Sequence, residues 1–131
     1  PLRPETTQET PPMSSQNRPF TATVRSSAQA AILDLHGEIN GAAEAALAEA
    51  YAAAEATGRA TILLNFADVS YINSTGIALI VGLLAQARKA KRSLATCNLS
   101  DHYVEIFRIT RLSDFMQIAP DEASALAAID A

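Results

Sequence analysis

The 131-residue chain predicts an α/β domain built on a mostly parallel β-sheet of about five strands, with an N-terminal antiparallel hairpin and about four helices. Three observations lead there. Short β-rich runs alternate with segments of helical periodicity, and the run Ala60–Phe66 has the near-continuous apolar character of a strand covered on both faces. The resulting strand-helix-strand units require right-handed crossovers, and therefore parallel pairing.

The expected order is β-β-α-β-α-β-α-β-α. Residues 1–19 hold five of the six prolines and almost nothing apolar, so a disordered tail is expected there, ahead of one domain over residues 20–131. The proline spacing of this tail also suits short polyproline II segments. Phe20–Val24 and Ala30–Gly37 alternate and are rich in β-formers, predicting a hairpin around Ser26-Ser27. Ala42–Ala56 has high helix propensity, with Leu47, Ala50, Tyr51 and Ala54 at helical spacing and a C-cap at Thr57-Gly58. Ala60–Phe66 follows as the central strand, then a turn at Ala67-Asp68-Val69-Ser70. A second long helix is expected from Ser74 to about Lys91, with Ile77, Ile80, Val81, Leu84 and Ala87 inward and its basic last turn set against the negative end of the macrodipole. Ser93–Asn98 predicts a strand. Ser100-Asp101 caps a third helix whose Val104, Ile106 and Phe107 supply apolar contacts. Phe115–Ile118 predicts the last strand, and Pro120 opens a final helix running through Ile129.

Composition narrows the function. Hydrophobic residues make up 49% and charged residues 18%, which places most of the chain in the globular class. Ten basic against fourteen acidic residues give a net charge of -4, with no basic surplus to neutralise a phosphate backbone or an anionic bilayer. Nucleic acid and membrane insertion are therefore not expected. The longest apolar stretch, Ile77–Ala87, falls well short of the roughly 20 residues a membrane span needs. A single cysteine, Cys97, precludes an intramolecular disulfide and reads as a small buried hydrophobe, and no secretory pattern opens the sequence. The expected compartment is the cytoplasm.

The segment Asp68-Val69-Ser70-Tyr71-Ile72-Asn73-Ser74-Thr75-Gly76-Ile77 carries the most chemical information. Here a strand feeds a loop that delivers two adjacent hydroxyls to the start of a helix. Unpaired N–H groups and the positive dipole end stabilise negative charge there by ~0.3–1 kcal/mol, or up to ~2 when partly buried, so the fold tolerates a phosphate on Ser74. The same residues equally suit a structural arrangement in which Ser74 caps the helix and Asn73 supports the turn; spacing alone leaves both open. Gly76 is expected to leave room for a partner's backbone.

From about Phe20 to Ile129 the sequence resembles a STAS domain, specifically the single-domain anti-sigma factor antagonists. Gly37-Glu38-Ile39, the block DVSYINSTGIALIVG from Asp68 to Gly82, and Asn98-Leu99-Ser100 leading to Val104, Ile106-Phe107 and Ile109-Thr110-Arg111-Leu112 carry the resemblance. It implies a non-enzymatic module of STAS-like fold, without a cofactor. Such a module binds and sequesters an anti-sigma factor that is also a serine kinase, and so releases a sigma factor. The resemblance places the phosphorylated serine at Ser74, whose modification switches binding off and which a phosphatase would restore. It implies partner contacts at Glu38, Asn40, Asn73, Ser74, Thr75 and Gly76.

Three positions depart from the family pattern. Asn73 and Asn40 stand where aspartates are usual, and Arg111 where a glycine is common after the third helix. The two asparagines lower repulsion toward a phosphate and also remove charge that a partner or a magnesium-assisted transfer can use. An arginine at position 111 must avoid or tolerate a positive φ.

Other roles open to such a domain are a subunit docking on the ATPase of a lipid-trafficking ABC transporter, a scaffold subunit of a stress-sensing assembly, and a small-ligand or nucleotide binder at the same helix start. The strand edge at Phe20–Val24 permits a homodimer. His36 and His102 lack Cys or carboxylate companions at ligand spacing, so no metal is expected. Arg88, Lys89, Lys91 and Arg92 read first as a solvated helix end and second as a patch for an acidic partner. No GxGxxG, Walker A or GxSxG motif is present, and the residues form no catalytic set.

Overall fold

The computed structural model describes residues 19–130. The expected tail therefore lies outside the described residues except for Pro19. One sheet of five strands runs in the order β1-β2-β3-β4-β5. β1 (Thr21–Ser26) pairs antiparallel with β2 (Ala31–Ile39). β3 (Thr61–Ile72), β4 (Ser93–Cys97) and β5 (Gln117–Ala119) follow in parallel, as the crossovers require. The hairpin turn is held by Ser27, whose Oγ accepts from the N–H groups of Gln29 and Ala30.

Helices cover the two faces unequally. α1 (Glu44–Ala56), α2 (Ser74–Lys89) and α3 (Asp101–Ile109) bury Leu47, Tyr51, Ile80, Leu84, Tyr103 and Phe107 against Leu33, Leu35, Leu64 and Phe66. Among the described residues α4 (Glu122–Asp130) alone packs on the opposite face, where Ala125 meets Ile32, Leu63, Ala95 and Cys97. Beyond α4 that face turns polar. Arg25 grips Asp34 and Glu122 with its guanidinium, while Asn65 donates to Asp34 Oδ1 at 2.8 Å and Asn98 donates to Asn65 Oδ1 at 2.9 Å. The Arg25 bonds hold the Asp34 carboxyl below the usual carboxylate range. No helix among the described residues is long and apolar enough to cross a membrane.

β3 corrects the sequence reading most. The expected turn at Ala67-Asp68-Val69-Ser70 is strand, and β3 continues to Ile72. Two bulges explain the missed pattern. Asp34 pairs with Asn65, His36 with Asp68, and Glu38 with Tyr71, so β3 gains one residue on β2 at each step. Its core-facing residues are accordingly Ile62, Leu64, Phe66, Val69 and Ile72, and the period of two gives way to two steps of three.

Smaller corrections have equally local causes. Gly41–Ala43 forms a 3-10 turn, so α1 starts at Glu44 and not at Ala42. α2 stops at Lys89, two residues early, because Lys91 adopts φ 60° and the N–H groups of Lys91 and Arg92 close back on the carbonyls of Arg88 and Ala87. Val81, expected inward, is exposed, and Leu83 takes its place in the core. In α3 it is Tyr103 that is buried with Phe107, while Val104 and Ile106 are only half-buried. Phe115 precedes β5 and is exposed. Pro120 lies outside α4, which Asp121 caps through a bond from Ser124 N–H at 2.7 Å. Arg111 does take the left-handed conformation, with φ 69°, and its Nε donates to Asp114 Oδ2 at 2.6 Å.

Candidate functional site

The site forms where β2 and β3 end side by side and each strand turns into helix. Register places Glu38 opposite Tyr71 and Ile39 opposite Ile72. The N–H of Asn73 then donates to Ile39 O at 3.2 Å, so the last residue before α2 is fastened to the end of the neighbouring strand.

Asn73, not Ser74, is the N-cap of α2. Its backbone is extended, at φ −89° and ψ −178°, and its Oδ1 accepts from Gly76 N–H at 2.8 Å. Ser74 becomes the first helical residue, and both Ser74 and Thr75 are exposed. The two arrangements left open by the sequence are thereby separated: the capping duty falls to Asn73, and the Ser74 hydroxyl is free of it. The first turn of α2 carries no acidic residue, so its positive end is uncompensated by side-chain charge of its own.

Asn40 plays the matching part on the adjacent strand. Its Oδ1 accepts from Ala42 N–H at 2.9 Å and caps the Gly41–Ala43 turn. This brings Gly41 alongside α2, where a Cβ on Gly41 would lie 3.6 Å from Thr75 Cγ2. Glu38 is half-buried at the end of β2. Both asparagines thus serve as caps, a role for which asparagine and aspartate rank equally, and they bring no negative charge to the site.

Gly76 has a different role from the one expected. It is buried, and a Cβ there would lie 2.1 Å from Ile39 O and 2.9 Å from Ile39 C. The backbone that needs its missing side chain belongs to β2 of the same chain.

Two site residues were not singled out in the sequence. Tyr103 reaches from α3 to grip the backbone of Ile72: its hydroxyl accepts from Ile72 N–H at 2.8 Å and donates to Ile72 O at 3.2 Å. Tyr71 lies opposite Glu38 at the rim with 48% of its surface exposed. The expected turn at residues 67–70 hid that this exposed aromatic stands on a strand, close to the start of α2.

His36 also gains a companion the linear sequence did not suggest. The first bulge sets Asp68 opposite it, with His36 Nδ1 2.8 Å from Asp68 Oδ2. His102 packs elsewhere, its ring edge-on to Tyr103. Among the described residues no three His, Cys, Asp or Glu side chains gather as metal ligands.

The STAS domain profile matches residues 21–125. The anti-sigma-B factor antagonist of Staphylococcus aureus is 36% identical over 61 residues, which is 47% of this chain and 56% of that protein. The chain spans about half the length of the curated relatives it matches. In structure it is similar to an anti-sigma factor antagonist from Mycobacterium paratuberculosis, with a TM-score of 0.75 at 18% identity over 86% of this chain and 96% of the other. The Bacillus cell fate determinant SpoIIAA in its phosphorylated form gives a TM-score of 0.63 at 21% identity, over 85% and 99%. At these identities the two structures speak to the fold alone. The family match runs through all five strands and both halves of the site, and the chain belongs to the STAS domain family.

Proposed function

We propose that this domain is an anti-sigma factor antagonist. It holds an anti-sigma factor serine kinase in its unphosphorylated form, releases the sigma factor, and is switched off by phosphorylation of Ser74. The observation that carries this reading is the exposed Ser74 hydroxyl at the first turn of α2, freed from capping by Asn73. The reading draws further support from the anti-sigma-B factor antagonists among its relatives.

The surface around Ser74 suits docking. Ser74, Ala78, Val81 and Ala85 recur at helical spacing along α2 and are all exposed, giving a smooth strip of small apolar side chains that starts at the hydroxyl. Tyr71 and Glu38 stand opposite each other near the ends of β3 and β2, just before the start of α2. A partner seated on this strip closes over Ser74.

In the modification step Ser74 Oγ attacks the γ-phosphorus of ATP held by the kinase. The Oγ–P bond forms, the bond to the β-phosphate oxygen breaks, ADP leaves, and the hydroxyl proton passes to a base on the kinase. The added ~1.5–2 negative charges then sit inside the contact. Moving a complex from 99% bound to 99% free takes ~5.5 kcal/mol of differential affinity, which a buried phosphate can supply and a screened rim phosphate cannot. Ser74 belongs at the centre of the interface.

The test is a pull-down with the cognate kinase, followed by mass spectrometry after incubation with ATP. Ser74→Ala is expected to retain binding and lose modification, and Ser74→Glu to weaken binding. Unchanged affinity of a fully phosphorylated sample overturns the switch. Capture of a transporter ATPase or of stacked STAS copies in place of a kinase overturns the partner.

A further inference from the structure

A cleft lies at the far end of α2 from Ser74. Arg88 stands fourteen residues along α2 from Ser74, roughly 20 Å at 1.5 Å per residue. The cleft beside it exists because β5 stops short. β4 pairs with β3 from Ser93 onward, but β5 joins only at Ala95, since the residues preceding Gln117 are diverted into a 3-10 turn over Leu112–Asp114. The flank of Ser93 and Leu94 is left open. The gap is about 490 Å³, the size of a small-molecule site, and is lined by Arg88, Arg92, Ser93, Phe115, Met116 and Gln117, with Leu84 and Ile129 at its apolar end.

Arg88 distinguishes this cleft from an ordinary surface hollow. Six arginines lie among the described residues, and five have a hydrogen bond or ion pair: Arg25 with Asp34, Arg59 with Ser27 O, Arg92 with Glu55 and Arg59 O, Arg108 with Glu105, and Arg111 with Asp114. Arg88 has neither among those residues. Its guanidinium lies instead over the Phe115 ring, 5.0 Å from the centroid. Held by this cation–π contact and by no acceptor among the described residues, the guanidinium keeps its N–H donors available for a bidentate carboxylate contact. The carbonyls at the end of α2 do not claim it, since Lys91 and Arg92 N–H groups already satisfy Ala87 and Arg88. Among the described residues the one carboxylate lining the cleft, Asp114, is paired with Arg111. Phe115 itself is 52% exposed, so an apolar surface adjoins the charge.

We propose that this cleft is a binding site for a small aromatic carboxylate, its carboxylate on Arg88 and its ring against Phe115 and Met116. The basic run at the end of α2 then has a function beyond solvation, independent of the Ser74 surface.

Titration of the 15N-labelled full chain with 1-naphthoate, and separately with the neutral 1-naphthalenemethanol, tests this by NMR. Expected are saturable shifts in the amides of Ser93–Ala95 and Asp114–Gln117, with those of Asn73–Ile77 unmoved. Dissociation constants about tenfold weaker are expected for the neutral compound and for naphthoate on Arg88→Gln, with Arg88→Lys in between. Arg88 is exposed, so Arg88→Gln should fold, and an otherwise superimposable spectrum verifies this. No saturation up to about 10 mM, corresponding to a free energy below the weakest useful binding, overturns the proposal. Equal binding of the neutral compound, indifference to Arg88→Gln, or shifts mapping to another surface overturn it as well.

Discussion

The hydroxyl of Tyr103 engages both backbone groups of Ile72, accepting from its N–H and donating to its carbonyl, across 31 residues of sequence. Ile72 immediately precedes the Asn73 cap. The start of α2 is therefore set from two sides, by α3 through this phenol and by β2 through the bond from Asn73 N–H to Ile39 O. The two ties fix the backbone that leads into Ser74.

Tyr103→Phe removes one oxygen and leaves two buried backbone groups without a partner. The expected cost is about 1–3 kcal/mol, measured by urea unfolding, with faster amide exchange localised to Ile72–Ser74. A loss below about 0.5 kcal/mol would show that water replaces the phenol without penalty.

Gly76 and Gly82 share α2 but should answer oppositely to the same substitution. At Gly76 the new methyl meets Ile39 O at 2.1 Å, so Gly76→Ala must push β2 and α2 apart, at a cost of about 3 kcal/mol or more. At Gly82 nothing lies within 4 Å, and Gly82→Ala should stabilise the helix by about 0.5–1 kcal/mol. Thermal unfolding of the two variants side by side checks the sign; a neutral Gly76→Ala contradicts the close approach.

How far the sequence disclosed this arrangement depended on whether the information was local. Helix α1, the central position of β3 and the parallel order follow from periodicity and crossover geometry, and the structure has them. The position of Ser74 at a helix start was also legible, because a hydroxyl pair followed an apolar strand. The bulges were not. Asp68 has a turn-forming side chain that becomes strand by pairing with His36 on β2, and Ser70 is the extra residue of the second bulge. Tyr103 as a clamp and Gly76 as a contact with Ile39 are long-range relationships that no window of sequence contains. Arg111 was readable as a conflict with positive φ, but not its outcome, in which a bond to Asp114 accompanies the left-handed backbone.

The Arg25–Asp34 pair gives the fold an acid-sensitive element. Bonding from Arg25 lowers the Asp34 pKa from 3.8, so its contribution is fully present above that unfolded value and is lost as pH falls through the depressed native one. Arg25 is 47% exposed, so solvent screening limits the pair to about 1 kcal/mol. Asp34→Asn should lower stability by about that amount at pH 7 and by nothing once the pH is below the native pKa. Denaturation curves at both pH values decide it; a constant difference would mean that packing, not charge, is responsible.

Cys97 should be chemically silent in the native state. It is fully buried beside Leu63 and Ala125, and burial pushes its thiol up to about 11. Ellman's reagent at pH 8 is expected to label it only as fast as the domain opens, and at once in denaturant. Rapid stoichiometric labelling of the folded protein would contradict the packing of α4 against β4.

Restoring a carboxylate at the cap separates the structural part of Asn73 from its electrostatic part. Asn73→Asp keeps an oxygen facing Gly76 N–H, so the cap geometry should persist, and the added charge at the positive end of α2 should raise stability by ~0.3–1 kcal/mol at pH 7. The introduced carboxyl is stabilised as the anion, which lowers its native pKa; the gain is therefore present above the unfolded value and disappears as pH falls through the native one. In phosphorylated protein the same carboxylate stands next to a dianion at the same helix end, and the gain should shrink or reverse through like-charge repulsion. Thermal unfolding of four species, with asparagine or aspartate at position 73 and with Ser74 free or phosphorylated, measures this coupling as a double-mutant cycle. A coupling of zero would place the phosphate away from the α2 terminus and remove the electrostatic basis for reading Asn73 as a charge-deleting exchange.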